Sequence, residues 1–332
     1  MTSAASSIGV LGLGNWGTAI GFHLASKGND VLGWTIEKEI VSHINTKHTN
    51  PLYFSNTKLP ENFKATSEIS DLFSMPFIVL VTPSSALMDV IPKLKLRDGT
   101  ILISAVKGMD GSTFLTPLQF AEKYLSGKID LAVLSGPSFA RDIIRGLPSG
   151  LVAASKKEET AKQVADLFSN ECMKVYVSTD TLGVELGGIL KNVIALAAGV
   201  CDGINLGDSA RAGVITRGLA EMMRLSQAMG ANPITLSGLS GLGDLVMTST
   251  CDTSRNRTVG LRLGKGEKLD DIVASIGSVA EGVTTTENVL GLAKKYNIEM
   301  PISFNVGKLL KGEITPAEMV KSLILRPVKK EF

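Results

Sequence analysis

Between Leu186 and Cys201 the chain reads LGGILKNVIALAAGVC, sixteen residues with one charge, Lys191. At helical spacing this segment has no polar face, and a helix apolar on every side is stable only when other elements surround it. The chain must therefore build a core around it, and 332 residues are enough for two domains that can do so. The lone lysine raises a chemical question. A buried ammonium without a partner costs several kcal/mol or more, on the order of a domain's whole net stability. Either a carboxylate offsets that cost, or the side chain snorkels to water past Gly187 and Gly188, which lie one turn earlier on the same face. In the first case Lys191 is a candidate for chemistry.

The residues before this segment have a different rhythm. Short β-branched runs (Ile8 to Leu11, Val31 to Trp34, Phe77 to Val81, Ile101 to Ala105, Leu131 to Leu134, Leu151 to Ala154, Lys174 to Val177) alternate with longer helical patterns. That alternation predicts a parallel sheet with crossover helices. After Thr179 it stops, and helices are expected over 183–202 and 208–230, then a Gly-rich break at 238–243 and further helices to Leu325. The expectation is a doubly wound α/β domain over 1–182 followed by an all-helical domain over 183–332, with the site in the cleft between them.

Composition narrows the function. Net charge is +2 with the signs interspersed, which suggests neither nucleic acid nor an anionic membrane as main partner. Cys172, Cys201 and Cys251 are odd in number and form no CxxC, as expected of reduced thiols in a cytoplasmic protein. The opening MTSAASS lacks the regions of a signal peptide, no uncharged run reaches about 18 apolar residues, and the tail RPVKKEF is one small basic cluster, so no stable membrane insertion is expected. His23, His43 and His48 follow no metal-ligand spacing.

Gly12, Gly14 and Gly17 form GLGNWG directly after the first strand and open a helical segment. The first glycine allows the tight turn, the second lets backbone approach a pyrophosphate, and the third lets helix meet strand; the helix N-terminus adds free N–H groups. This is the context that gives a GxGxxG meaning, and it makes the first domain Rossmann-like. Glu37, just after the second strand, stands where an acid would hold a ribose 2′-hydroxyl. Only Lys38 could meet a 2′-phosphate there, so the local reading leans to NAD over NADP.

In such sheets ligands lie beyond the carboxyl ends of the strands. TPSS (Thr82 to Ser85), VKGMDG with Lys107, and SGPSFARD with Gly136 and Ser138 follow three of them. Lys107 is placed to meet an anion or carbonyl, and Ser138 reads as a helix N-cap, a role compatible with a cofactor contact. In the second domain GLSGLGDL supplies Asp244 as a partner for Lys191, and TSTCDTSRNR follows. Its hydroxyl, planar fork and amide suit a phosphate monoester.

Together GLGNWG, the VKG of 106–108, LSGPSFA, LGGILKNVIALAAG, ITRGLAEM, GLGDLVMTSTCDTSRNR and the AEG of 280–282 resemble the soluble NAD(P)-dependent glycerol-3-phosphate dehydrogenases, in that family's order and over nearly the whole chain. The resemblance implies reversible reduction of dihydroxyacetone phosphate to sn-glycerol 3-phosphate, for phospholipid synthesis, by a homodimer using NAD(H) or NADP(H). It implies cofactor contacts at Gly12, Gly14, Asn15, Trp16, Gly17, Ile36, Glu37, Ala140, Val279 and Glu281. Lys107, Gly136, Ser138, Asp244, Ser254, Arg255 and Asn256 match the substrate and cofactor shell, Asn192 and Thr248 line it, and Lys191 holds the place of the proton donor or acceptor. Lys107 and Asn192 would polarise the carbonyl. The family often has a basic residue or histidine at or beside Ile36, which leaves NADH against NADPH open. Two other readings remain at this point: a two-domain β-hydroxyacid dehydrogenase, whose substrate bears a carboxylate, and a non-catalytic NADH-binding redox sensor.

Overall fold

Eight strands form one sheet in the structure, a computed structural model that describes residues 5–276, 280–327 and 330–331. They are β1 (Ser7–Leu11), β2 (Asp30–Trp34), β3 (Phe63–Thr66), β4 (Phe77–Leu80), β5 (Ile101–Ser104), β6 (Asp130–Ser135), β7 (Ser149–Ala154) and β8 (Met173–Ser178), in the spatial order β3-β2-β1-β4-β5-β6-β7-β8. From β1 to β6 every pairing is parallel, and the strand order reverses between β1 and β4, the switch point at which such sheets take ligands.

Seven of these strands coincide with runs legible in the sequence. β3 escapes the pattern, because FKAT is four residues long, half polar, and lies at the sheet edge. The expected all-parallel order is also corrected, since β7 runs antiparallel to β6 before β8 resumes parallel to β7.

Helices α1 (Asn15–Ser26), α2 (Lys38–Lys47), α3 (Leu87–Val90), α4 (Pro117–Tyr124), α5 (Ala140–Ile144) and α6 (Glu158–Phe168) belong to the same unit as the sheet. Strands buried on both faces need apolar residues at successive positions, and they have them. Val79, Ile101 and Ile103 pack in one cluster with Ile20 and Leu24 of α1, while Ile78, Leu80 and Leu102 pack in another with Phe120 of α4.

The described residues divide into two compact units, one ending at Glu185 and one beginning at Leu186, within α7 (Thr181–Gly203). Among the described residues α7 is the one helix long and apolar enough to cross a membrane, and its apolar stretch is wholly buried in protein. The second unit continues with α8 (Asp208–Ala228), α9 (Asp244–Thr250), α10 (Arg255–Gly264), α11 (Leu269–Ile276), α12 (Glu281–Tyr296), α13 (Pro301–Leu310) and α14 (Pro316–Ile324). The expected Gly-rich break is a π-turn, Leu239–Gly243, placed directly before α9.

Two buried acids hold helix starts in place. Glu221 of α8 accepts the Ile302 and Ser303 N–H groups and the Ser303 hydroxyl, capping α13, whose own N-cap side chain makes no such bond. Glu185 of α7 accepts from the Thr116 hydroxyl at 2.6 Å and the Leu118 N–H at 2.9 Å, at the first turn of α4. Burial pushes the Glu185 carboxyl from 4.5 up to about 7 in spite of these bonds. A raised folded-state value means that its contribution to stability is complete below about pH 4.5 and is lost as pH rises to about 7. The loss is on the order of 3 kcal/mol. Glu185→Gln should flatten the fall in urea midpoint between pH 4.5 and 7, and parallel curves for the two proteins would refute this account.

Candidate active site

Two glycines of the first turn are fixed by contact. Gly12 has φ +108° and lies against the backbone of Val81 and Thr82, and a Cβ on Gly17 would fall on the Gly12 carbonyl. Gly14 is different: a Cβ there would meet only the Tyr53 ring, at 4.0 Å, so its backbone faces open space. It precedes α1, whose N-cap bears no side chain and whose first turn carries no acid. This open, uncapped helix start fits a dinucleotide pyrophosphate. The turn is braced from behind by Thr18 and Asn50, which both donate to the Leu13 carbonyl, at 3.0 Å each. Asn15 is exposed, and the buried indole N–H of Trp16 and the buried hydroxyl of Thr82 have no protein partner, donors consistent with a bound polar group. Past β2, Ile36 is 75 % exposed and Glu37 accepts a hydrogen bond from the Thr35 hydroxyl.

The loops after β4, β5 and β6 meet in the first unit. Gly108 lies against the Ser84 side chain, and the half-buried Lys107 donates to the Gly136 carbonyl at 2.9 Å. Ser138 donates to that same carbonyl at 3.2 Å. Gly136 has φ +143° and is pressed against Gly150 and Leu151 of the reversed strand β7, where a side chain would not fit. The helix-cap reading of Ser138 is overturned: Phe139 occupies the N-cap of α5, without a side-chain bond, and the half-buried Ala140 begins the helix.

In the second unit Lys191 is 5 % exposed, and its Nζ donates to Asp244 Oδ1 at 2.5 Å and to Thr248 Oγ1 at 2.8 Å. The snorkelling alternative is thereby corrected. The Gly187 face is closed by the backbone of Ser240 and Gly241, which approach so closely that no Cβ would fit. The π-turn that supplies this backbone also delivers Asp244, fully buried, as the first residue of α9; Thr248 follows one turn later on the same face.

Asn192 is tied to two distant segments. Asn256 donates to Asn192 Oδ1 at 2.9 Å and accepts from the Gly282 N–H, also at 2.9 Å. With its oxygen so engaged, the Asn192 amide presents nitrogen as donor, the polarity needed to polarise a carbonyl. Asn256 meanwhile serves the start of α12, where Ala280 cannot cap and Glu281 is the first residue. Val279 lies outside the described residues. Ser254 caps α10 by accepting from the Arg257 N–H, which leaves Arg255, exposed, and Asn256, buried, as the first two residues of that helix. Arg257 is different from its neighbours in the basic cluster, since it is buried and paired to Asp202 and Asp252.

Sequence reasoning missed Asn50, Glu185, Glu221 and Asp202. Each works through a partner distant in sequence or through burial, and no local pattern marks the first three; Asp202 carries a local signal, as the acid at the end of the apolar helix.

Comparison with known proteins bears on the whole chain. Residues 7–161 match the model of the NAD-dependent glycerol-3-phosphate dehydrogenase N-terminus, and residues 180–321 match that of its C-terminus. A glycerol-3-phosphate dehydrogenase [NAD(P)+] of Geobacter sulfurreducens is 43 % identical over 329 residues, 98 % of each chain. One of Stenotrophomonas maltophilia is 42 % identical over 335 residues, 100 % of this chain and 98 % of its own. The crystal structure of glycerol-3-phosphate dehydrogenase from Coxiella burnetii superposes with a TM-score of 0.92 at 36 % identity, over 97 % of this chain and 99 % of that one.

Proposed function

Because the chain belongs to the NAD-dependent glycerol-3-phosphate dehydrogenase family, we propose that Lys191, Asp244, Asn192 and Lys107 carry its reaction, and that Gly136, Ser138, Thr248, Ser254, Arg255 and Asn256 complete the substrate site. The protein is an NAD(P)-dependent oxidoreductase that interconverts dihydroxyacetone phosphate and glycerol 3-phosphate. The observation that carries the assignment of roles is the buried Lys191–Asp244 pair, a cation held where structure alone would favour an apolar residue.

A nicotinamide cofactor, when bound, would supply hydride for C2 of the ketone and would accept it in reverse. Lys191, as ammonium, gives its proton to the C2 oxygen as the alcohol forms, and neutral Lys191 takes it back in the other direction. Asp244 and Thr248 orient Nζ. Asn192 and Lys107 donate to the carbonyl oxygen, and the guanidinium of Arg255 with the N-terminus of α10 holds the phosphate. Gly12, Gly14, Asn15, Trp16, Gly17, Ile36, Glu37, Lys107, Ala140, Arg255 and Glu281 would hold the cofactor. Glu37, a carboxylate beside the adenosine ribose position, favours NAD(H) by repelling a 2′-phosphate.

The chain acts as a cytoplasmic homodimer that supplies the glycerol phosphate backbone for phospholipid synthesis. This rests on the chemistry of the product, the three free cysteines and the family likeness. Light scattering on the purified protein tests the dimer.

The deciding assay follows oxidation of NADH and of NADPH at 340 nm with dihydroxyacetone phosphate as sole acceptor. Turnover with both, faster with NADH, is expected; silence with both, while a 3-hydroxy acid supports reduction of NAD, would return the hydroxyacid dehydrogenase reading. Arg255→Ala should raise the Michaelis constant for dihydroxyacetone phosphate by about tenfold or more and change turnover far less, because ground and transition states share the phosphate contact. A fall in turnover alone would show that Arg255 is not the anchor.

A further inference from the structure

The basic cluster TSRNR contains two arginines with opposite surroundings, and the buried one bears no resemblance to an anion ligand. Arg257 Nε and Nη2 reach Asp202 Oδ2 at 2.8 and 2.7 Å, and Nη1 reaches Asp252 Oδ1 at 2.7 Å. Asp202 Oδ1 takes Arg211 Nη1 at 2.8 Å, and Arg211 Nη2 continues to Asp208 at 2.5 Å. Two arginines against three aspartates leave this network with no positive charge to offer a phosphate. Arg257 is moreover the third residue of α10, where a cation opposes the helix dipole. An arginine kept there against both solvation and dipole is retained for its geometry.

That geometry is specific. One edge of the guanidinium is fixed to Asp202 at the end of α7, the other to Asp252 in the loop before α10, and the backbone N–H of Arg257 holds the Ser254 hydroxyl. Of the four residues between Asp252 and Arg257, three, Ser254, Arg255 and Asn256, are assigned to the substrate. We propose that Arg257 is a positioning residue for the phosphate anchor: with Asp202 it sets the first turn of α10 so that Arg255 and the helix N–H groups converge on one phosphate. Resting on the glycerol-3-phosphate dehydrogenase reading, this adds a residue that acts through its neighbours and does not touch substrate.

The two pairs differ in weight. The Arg257 and Asp202 side chains are 11 % and 10 % exposed, whereas Asp252 is 96 % exposed, so Asp202 is the partner that matters and solvent can replace Asp252. The test uses the full-length enzyme and measures turnover, the Michaelis constant for dihydroxyacetone phosphate, and competitive inhibition by inorganic phosphate. Arg257→Lys and Asp202→Asn should each raise both the Michaelis constant and the phosphate inhibition constant about tenfold, with turnover within about threefold of wild type. Asp252→Asn should change them by less than about twofold. Arg257→Met should exceed Arg257→Lys; should it not fold, the lysine and asparagine variants carry the result. An unchanged phosphate inhibition constant in folded Arg257→Lys, or turnover falling while that constant stays fixed, would overturn the proposal. Wild-type enzyme that fails to reduce dihydroxyacetone phosphate, yet still binds inorganic phosphate in an Arg257-dependent way, would instead overturn the reading on which it rests.

Discussion

Lys191→Ala is expected to lower turnover by about 10²-fold or more while leaving the Michaelis constant for the ketone within a few-fold, because the proton it supplies matters only as the C2 oxygen gains charge. Loss of activity alone would be ambiguous, since deletion of the lysine also leaves the fully buried Asp244 without the cation that pairs with it. Breaking one side of a buried pair costs on the order of 3–5 kcal/mol. The double variant Lys191→Met with Asp244→Leu separates the two effects. It removes both charges in similar volume, so the urea midpoint should recover much of the loss while turnover stays at the level of the alanine variant. Lys191→Arg should also be poorly active, for a guanidinium remains protonated at any working pH and cannot exchange a proton with the alcohol. Turnover within a few-fold of wild type in folded Lys191→Ala would end the acid–base assignment.

Gly260→Val should give the largest loss of stability. Helices α7 and α10 cross with their backbones in contact: a Cβ on Gly260 would fall on the Leu196 carbonyl, one on Gly199 on the Arg257 carbonyl, and Gly203 and Gly264 meet in the same way one turn on. No side chain can yield at that crossing, so the helices must separate. Overpacking costs of about 1–3 kcal/mol assume flexible neighbours, and here the expected cost is about 3 kcal/mol or more. Gly260→Ala should fold but displace Asn256 from Asn192, lowering turnover together with thermal midpoint. A melting midpoint for Gly260→Val equal to wild type would show that the crossing is looser than its glycines imply.

The sequence displayed the sheet well because strands buried on both faces announce themselves as β-branched runs, and β3 was lost because an edge strand of four residues does not. The direction of β7 was illegible, since residue types do not encode the orientation of a neighbour. Around the site, Lys191 and Asp244 were legible as a pair because a charge in an apolar helix requires a partner, whereas the closure of the Gly187 face was not, since it depends on a π-turn that begins at Leu239. Asn256 was read as a substrate contact from its place in a polar cluster; its bonds to Asn192 and Gly282 span 64 and 26 residues and are visible only in three dimensions. Arg257 shows the same limit, for spacing cannot distinguish an arginine that faces a ligand from one that braces its neighbour.

The all-round apolar character of α7 has a consequence during synthesis. Much of its cover, from Ser240 to Gly282, is made well after it. At bacterial or eukaryotic elongation rates of about 5–20 residues per second, the roughly eighty residues between Gly203 and Gly282 take on the order of 4–16 s to appear. For that interval the helix has only part of its native cover, such as α8 with Gly218 against Ile194, and lacks the rest. It is then a substrate for ribosome-associated chaperones and, if they are scarce, for aggregation, which makes the yield of active enzyme sensitive to translation speed downstream of Gly203.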